Sequence, residues 1–148
     1  MLAEAACFYK AQGKTLVDVL DGLYDELGTY QESQTSITLA GKEGAERIKE
    51  IIATFRNEAP KEIGGLKVIA SEDYGCLKRY ENGSEQALIG FTKSDVLKFY
   101  LEDGSWIAVR PSGTEPKCKF YYCVRGISKV NAKEKTEILQ AAMKKAIE

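Results

Sequence analysis

Residues 110–117 combine side chains that could bind an anion. Arg110 offers a planar fork of donors that can hold two oxygens of one phosphate, a geometry that a lysine ammonium cannot supply. Ser112 and Thr114 add hydroxyl donors on either side of Gly113, whose missing Cβ permits close backbone approach and a positive φ. We therefore predict a phosphate-binding loop in which successive backbone N–H groups converge on the anion.

Two prolines and two charged residues complete the predicted loop. Pro111 and Pro116 fix φ and restrict the residue before each of them, so the loop would be partly ordered before a ligand arrives. Lys117 could add long-range attraction, and Glu115 could orient Arg110 or cap the loop. The alternative interpretation is a hairpin loop whose Ser, Gly, Thr and Pro residues only make the turn.

Alternating strands on both sides should hold this loop in place. Residues 96–101 and 105–110 alternate in polarity across Asp103-Gly104, which is a strong hairpin signal. The loop then leads into residues 117–125, which alternate in the same way. The loop is therefore predicted to connect two adjacent antiparallel strands, a rigid mounting for a recognition site.

The remaining periodic segments predict the rest of the domain. A half-exposed strand is expected over 30–39, an amphipathic helix over 41–57 and a short strand over 66–70. Asn131 opens a final helix with a capping-box pattern, and residues 76–91, which show neither period, are expected to form an exposed excursion. This order predicts an α+β fold, a mostly antiparallel sheet with two helices packed on one face.

Composition excludes several classes of function. The chain carries 21 Lys and Arg against 22 Asp and Glu, a net charge of −1, so no global field draws it to nucleic acid. It contains no histidine, which excludes imidazole zinc sites and His-based triads from this chain. Its four cysteines form no CxxC pair and are expected to be reduced thiols. No apolar run reaches the length of a membrane span, so we expect a cytoplasmic protein without nucleic-acid or membrane partners.

Three motifs resemble one known family. RPSGTEPK, the preceding VLKFYLEDGSWIAVR and the following KFYY resemble the phosphate-binding loop and flanking strands of the α-D-phosphohexomutases, the group of bacterial phosphoglucomutase and phosphomannomutase. The opening LAEAACFYKAQGKTLVDVLDGLYDELG resembles the end of that family's third domain. The resemblance implies that residues 1–28 are a helical remnant of the third, sugar-binding domain. Residues 29–148 would then be the C-terminal phosphate-binding domain, with a TATA-binding-protein-like fold, and Gly28 and Thr29 would be hinge candidates.

The family resemblance also implies a function. Members interconvert hexose 1-phosphate and hexose 6-phosphate, of glucose or mannose, through a bisphosphorylated sugar, and phosphoglucosamine mutases carry a similar loop. The full enzyme would use Mg²⁺ and glucose 1,6-bisphosphate, but the phosphoserine, metal and sugar-reading loops of the family are not found in this sequence. The resemblance therefore implies no catalytic residue and no metal ligand here, and a fragment that is inactive alone.

The implied partners are the hexose phosphate substrate and the remaining domains of the same enzyme. The resemblance assigns the non-reacting phosphate of the substrate to five residues of the loop region: Arg110, Ser112, Gly113, Thr114 and Lys117. Two other functions stay open. One is a stand-alone phosphate-recognition or interaction module, and the other is nucleic-acid binding through Lys119, Tyr121 and Arg125, which the charge balance disfavours.

Overall fold

The computed structural model describes residues 1–147, so only Glu148 of the predicted domain lies outside the described part. Four helices and eight strands follow one another along that part of the chain. Their bounds are α1 (Leu2–Ala11), α2 (Leu16–Leu27), β1 (Thr29–Thr38), α3 (Gly41–Asn57), β2 (Glu62–Ile63), β3 (Leu66–Asp73), β4 (Lys78–Glu81), β5 (Ser84–Ala87), β6 (Leu97–Leu101), β7 (Trp106–Pro111), β8 (Lys117–Gly126) and α4 (Lys129–Ile147).

The strands form one antiparallel sheet in the order β1-β8-β7-β6-β3-β4-β5, with the short β2 paired only to β3. Residues 76–91 were predicted to form an exposed excursion, and strands β4 and β5 within them are largely exposed, but they are regular. Their centre forms the β4–β5 hairpin, which extends the sheet by two strands. Its turn residues Asn82 and Gly83 both have positive φ, as a tight hairpin turn requires.

Both long helices of the domain cover the same face of the sheet, as predicted. From α3, Ile48, Ile52 and Phe55 enter the core, and from α4, Leu139 and Met143 do so. They meet the alternate residues of the central strands, which are all buried: Leu97, Phe99, Leu101, Ile107, Val109, Cys118, Phe120, Tyr122 and Val124. The α+β fold class is therefore confirmed, and the opposite face of the sheet, which we call the open face, carries the other residues of each strand.

A buried carboxylate ties the β4–β5 hairpin to the open face. Glu72 accepts hydrogen bonds from the hydroxyls of Tyr74 and Tyr100 and from the guanidinium of Arg79. Burial alone would raise the pKa of Glu72, but these three donors lower it overall. The carboxylate therefore stays charged and fully satisfied, which is a structural role.

The last helix begins earlier than predicted. α4 starts at Lys129, and the hydroxyl of Ser128 accepts a hydrogen bond from the Asn131 N–H at 3.2 Å. Asn131 is therefore the third residue of the helix and not its cap. Its side chain instead accepts a hydrogen bond from the N–H of Ile127 at 3.2 Å.

The N-terminal hairpin of α1 and α2 makes little contact with the rest of the domain. Neither helix buries a residue, although Thr15 and Asp18 form a capping box at the start of α2. Within residues 1–147, the ion pair from Lys129 to Asp21, at 2.5 Å, is the salt bridge that joins this hairpin to the sheet domain. The hairpin exposes a set of large apolar side chains: Leu2, Phe8, Val17, Leu20, Leu23 and Leu27.

We predict that Gly126→Ala destabilises the domain by about 1–3 kcal/mol, because the new methyl group overpacks the contact between β8 and α4. A Cβ at Gly126 would lie 2.6 Å from the backbone nitrogen of Ala132, which cannot swing away. Gly22→Ala is the matched control, since its Cβ meets nothing within 4 Å and alanine favours the helix. Denaturant unfolding should show a loss for the first variant only, and equal midpoints would contradict the prediction.

Candidate phosphate-binding site

The predicted loop forms the connection between β7 and β8. Pro111 pairs with Cys118 in the strand register, and the Ser112 N–H donates to the Lys117 carbonyl at 2.7 Å, which closes the base of the hairpin. The N–H of Leu39, just after β1, donates to the Pro116 carbonyl at 3.0 Å. The ends of the loop are therefore fixed to the sheet on two sides.

Ser112 organises the interior of the loop. Its Oγ accepts hydrogen bonds from the backbone N–H groups of Thr114, at 3.4 Å, and of Glu115, at 3.2 Å. The serine proton stays available to a ligand, because the oxygen acts only as an acceptor in both bonds. These two N–H groups point at Ser112, so the predicted convergence of successive N–H groups on an anion is not observed.

Gly113 also differs from the prediction. Its φ lies outside the positive range, and a Cβ built on it would meet nothing within 4 Å. The glycine is therefore not required by the backbone conformation of this loop. Its remaining value for binding is the open space where a side chain would lie, which lets a phosphate approach the backbone.

The guanidinium of Arg110 is exposed at the end of β7. Among residues 1–147 it has no hydrogen-bond or ion-pair partner, so all its donors are available to a ligand. The predicted role of Glu115 in orienting Arg110 is therefore wrong, because the two side chains form no ion pair. Thr114 is likewise exposed, and Lys117 is half-buried on the open face at the start of β8.

Lys119 is a candidate ligand that sequence reasoning did not assign to the phosphate. It lies directly opposite Arg110 in the antiparallel register, and both side chains project from the open face. Like charges in this position repel each other, so the pair costs stability unless an anion lies between them. The signal was present in the sequence, because a hairpin centred on residues 114 and 115 pairs 110 with 119.

More cations line the same face. Lys98 lies over the rings of Tyr100, at 4.7 Å, and Trp106, at 4.2 Å, and has no carboxylate partner in the described chain. Arg125 lies further along β8 on this face. The neighbouring strand β1 carries an acid nearby, Glu32, which is opposite Cys123 in the register. Arg110, Lys119 and Lys98 thus place three cations on the open face that form no ion pair within residues 1–147, which favours encounter with an anion.

The thiol next to the loop is not poised to act as a nucleophile. Cys118, the thiol beneath the loop, is fully buried, and burial raises its pKa to about 12, so it stays protonated at neutral pH. All four cysteines are free thiols, as predicted. Residues 1–147 contain no cluster of acids and cysteines that could hold a metal ion. No helix in the same range is long and apolar enough to span a membrane.

The sequence of this chain is similar to one family model and to curated proteins of the same kind. Residues 40–141 match the family model described as phosphoglucomutase/phosphomannomutase, C-terminal domain. A phosphoglucomutase from Staphylococcus haemolyticus is 42% identical over 113 residues, and one from Staphylococcus aureus is 39% identical over 126 residues. These alignments cover 76% and 84% of this chain but only 20% and 23% of the relatives.

The fold has a solved counterpart as well. The crystal structure of pp63/parafusin, a phosphoglucomutase from Paramecium in its open form, superposes with a TM-score of 0.56 at 17% identity. The superposition covers 94% of this chain and 24% of the Paramecium chain. The chain therefore spans about a quarter or less of the proteins that it resembles.

We predict that Lys119→Gln raises the stability of the chain by about 0.2–1 kcal/mol while weakening its affinity for phosphate, because it removes the repulsion opposite Arg110. Thermal unfolding without phosphate and isothermal titration with phosphate would measure the two effects. Lys133→Gln, on the exposed side of α4, is the control that removes the same charge elsewhere. A loss of stability in Lys119→Gln would show that the lysine has a structural role.

Proposed function

The chain belongs to the phosphoglucomutase/phosphomannomutase family, whose C-terminal domain it contains, and from this premise we propose that it binds the substrate phosphate in a phosphohexomutase. The full-length enzyme would interconvert the 1-phosphate and 6-phosphate of glucose or mannose. The observation that supports this function best is the exposed Arg110, which has no side-chain partner among residues 1–147 and lies opposite a second cation, Lys119.

The arrangement suits a substrate that must bind in two orientations. A mutase receives the same sugar with either its 1-phosphate or its 6-phosphate at the distal site. Arg110 would hold two phosphate oxygens, while the hydroxyls of Ser112 and Thr114 and the N–H of Gly113 donate to the others. Such contacts recognise a phosphate group without reading which carbon carries it. Lys117 and Lys119 would add charge attraction.

Binding energy gained at this end would position the other end for reaction. The contacts lie on the rigid β7–β8 hairpin, remote from the reacting phosphate, and can therefore offset the entropic cost of aligning the reacting centre. We place the phosphoserine, the Mg²⁺ site and glucose 1,6-bisphosphate chemistry on preceding domains, which supply the phosphoryl transfer. The 148-residue chain alone should then have no mutase activity.

A stand-alone phosphate-recognition module is the alternative function, and the cationic open face is compatible with it. The reading frame upstream of this chain separates the two proposals. A frame that encodes a TASHNP-like serine loop and a DGDxDR-like metal loop supports the mutase. A stop codon directly before the chain would support the independent module.

We predict that Arg110→Ala lowers kcat/KM of the full-length enzyme about 10- to 100-fold, because a charge-assisted bidentate contact contributes about 1.5–3 kcal/mol. Steady-state kinetics with glucose 1-phosphate would measure the loss. Lys133→Ala should leave kcat/KM unchanged, since this exposed lysine of α4 is far from the hairpin in sequence and lies outside the open face. An unaltered value for Arg110→Ala would remove this residue from the site.

We also propose that the domain rotates about residues 28–30 and brings the loop onto the substrate, excluding water. Small-angle X-ray scattering of full-length enzyme should then show a smaller radius of gyration with saturating sugar phosphate. The Arg110→Ala enzyme at the same ligand concentration should contract less. Superimposable wild-type curves with and without ligand would rule out closure of this kind.

A further inference from the structure

Strand β1 lies beside β8, on the side away from β7. Its residue Thr38 is directly opposite Lys117 of β8. Its residue Ser36 is opposite Lys119, which in turn is opposite Arg110. We propose that Ser36 and Thr38 extend the phosphate site across β1 and bind the hydroxyl-bearing carbons next to the phosphate. The ligand class is then the phosphate monoesters of polyhydroxylated carbon chains, and this inference rests on the proposed function of the loop.

The two hydroxyl side chains lie on the open face. Side chains alternate between the two faces of a strand. The neighbours on β1 face the core, since the hydroxyls of Thr35 and Tyr122 are 3.1 Å apart and Ile37 packs against the apolar cluster. Ser36 and Thr38 are exposed on the opposite face, which is the face that carries the cations of the loop site.

The position of β1 relative to the loop is fixed by the backbone. β1 pairs with β8 over ten consecutive residues without a shift in register. Just beyond the last pair, the N–H of Leu39 donates to the carbonyl of Pro116 at 3.0 Å, at the base of the loop. Hydrogen bonds of the main chain therefore hold Ser36 and Thr38 beside the loop before a ligand arrives, which lowers the entropic cost of binding.

Three cations meet beside these hydroxyls with no carboxylate paired to them. Arg110, Lys117 and Lys119 form no ion pair within residues 1–147. The two cations of β4, in contrast, are each paired with a carboxylate of a neighbouring strand, as in the 2.8 Å contact of Lys78 with Glu85. A carboxylate on β1 would stabilise the strand pair in the same way. The hydroxyls found there instead leave the positive charge available to an anion.

The site is wider than a phosphate group. Neighbouring strands lie about 4.8 Å apart, so the row of opposite residues from β7 across β8 to β1 spans about 10 Å. A phosphate held between Arg110 and Lys119 fills the first half of this row. Ser36, at the other end, therefore meets the part of the ligand beyond the phosphate.

Side-chain hydroxyls suit the recognition of a sugar. Each can donate one hydrogen bond and accept others, as the hydroxyl groups of a sugar do, so the direction of the bond is not fixed. Ser36 and Thr38 can thus bond to different sugar hydroxyls when the same molecule is bound through either of its ends. A carboxylate in their place would only accept, and an ammonium would only donate.

The test compares two phosphate monoesters on the 148-residue chain. Ethyl phosphate presents the monoester without hydroxyl groups, and glucose 6-phosphate adds them. Backbone amide shifts in NMR titrations give the Kd of each ligand. We expect glucose 6-phosphate to bind at least about fourfold more tightly, because each of two added hydrogen bonds contributes about a two- to tenfold factor.

Two variants locate this preference on β1. Ser36→Ala and Thr38→Val should each weaken the binding of glucose 6-phosphate about two- to tenfold and leave that of ethyl phosphate unchanged. Thr92→Val is the matched control, since it removes an exposed hydroxyl from the segment between β5 and β6 and should change neither affinity. Arg110→Ala should weaken both ligands alike, which monitors the loop site itself.

Equal affinity of the parent chain for the two ligands would overturn the inference while leaving phosphate binding by the loop intact. An unchanged preference for glucose 6-phosphate in both β1 variants would overturn it as well. Failure of the proposed function would look different, with ethyl phosphate either not bound or bound independently of Arg110. That result would also remove the basis of the inference.

Discussion

The pairing of β7 with β8 holds Arg110 and Lys119 face to face, and the rest of the domain makes this arrangement stable. On the other face of the same strands, Val109 pairs with Phe120, and both are completely or almost completely buried. Burial of such apolar side chains contributes more free energy than repulsion between two solvated cations costs. The core that the helices form on one face thus stabilises the strand pair, although the two cations opposite each other on the other face repel.

The two faces of the sheet therefore have different roles. One face provides the apolar core with α3 and α4, and the open face carries the cations and aromatic rings. The β4–β5 hairpin widens the open face, and the charge of its Arg79 is balanced by Glu72 and Glu81. Arg110 and Lys119 form no ion pair within the described part of the chain, so the attraction for an anion is strongest where Arg110 projects.

The sequence predicted the parts of this fold in which apolar periodicity is strong. The helix over residues 41–57 matches α3 at both ends, because apolar residues recur along one side and Gly41 precedes a regular pattern. The hairpin at Asp103-Gly104 and the strand after the loop were also predicted, since alternation in a strand buried on one face leaves little freedom of register.

Other features could not be read from local pattern. The polar strands β4 and β5, the last two of the sheet, bury too little to show a period of two. Their pairing depends on tertiary contacts such as that of Arg79 with Glu72. The conformation of Gly113 depends on hydrogen bonds to Ser112 that spacing does not specify. Lys119 could be placed opposite Arg110 only by fixing the register across the loop, which the sequence permits but local pattern alone does not show. The start of α4 was misplaced because Ser128 and Asn131 are both good capping residues.

The hydrogen bond from the Leu39 N–H to the Pro116 carbonyl connects the end of β1 to the loop. This strand begins beside Gly28 at one end of the sheet and, at its other end, reaches the residue that holds the loop. Ten extended residues span about 33 Å. Because β1 pairs with β8 over its whole length, it would move with the sheet as one body. If the domain rotates about residues 28–30 as proposed, a turn of about 10° would carry the far end of β1, and the loop with it, through about 6 Å, which is about the size of a phosphate group.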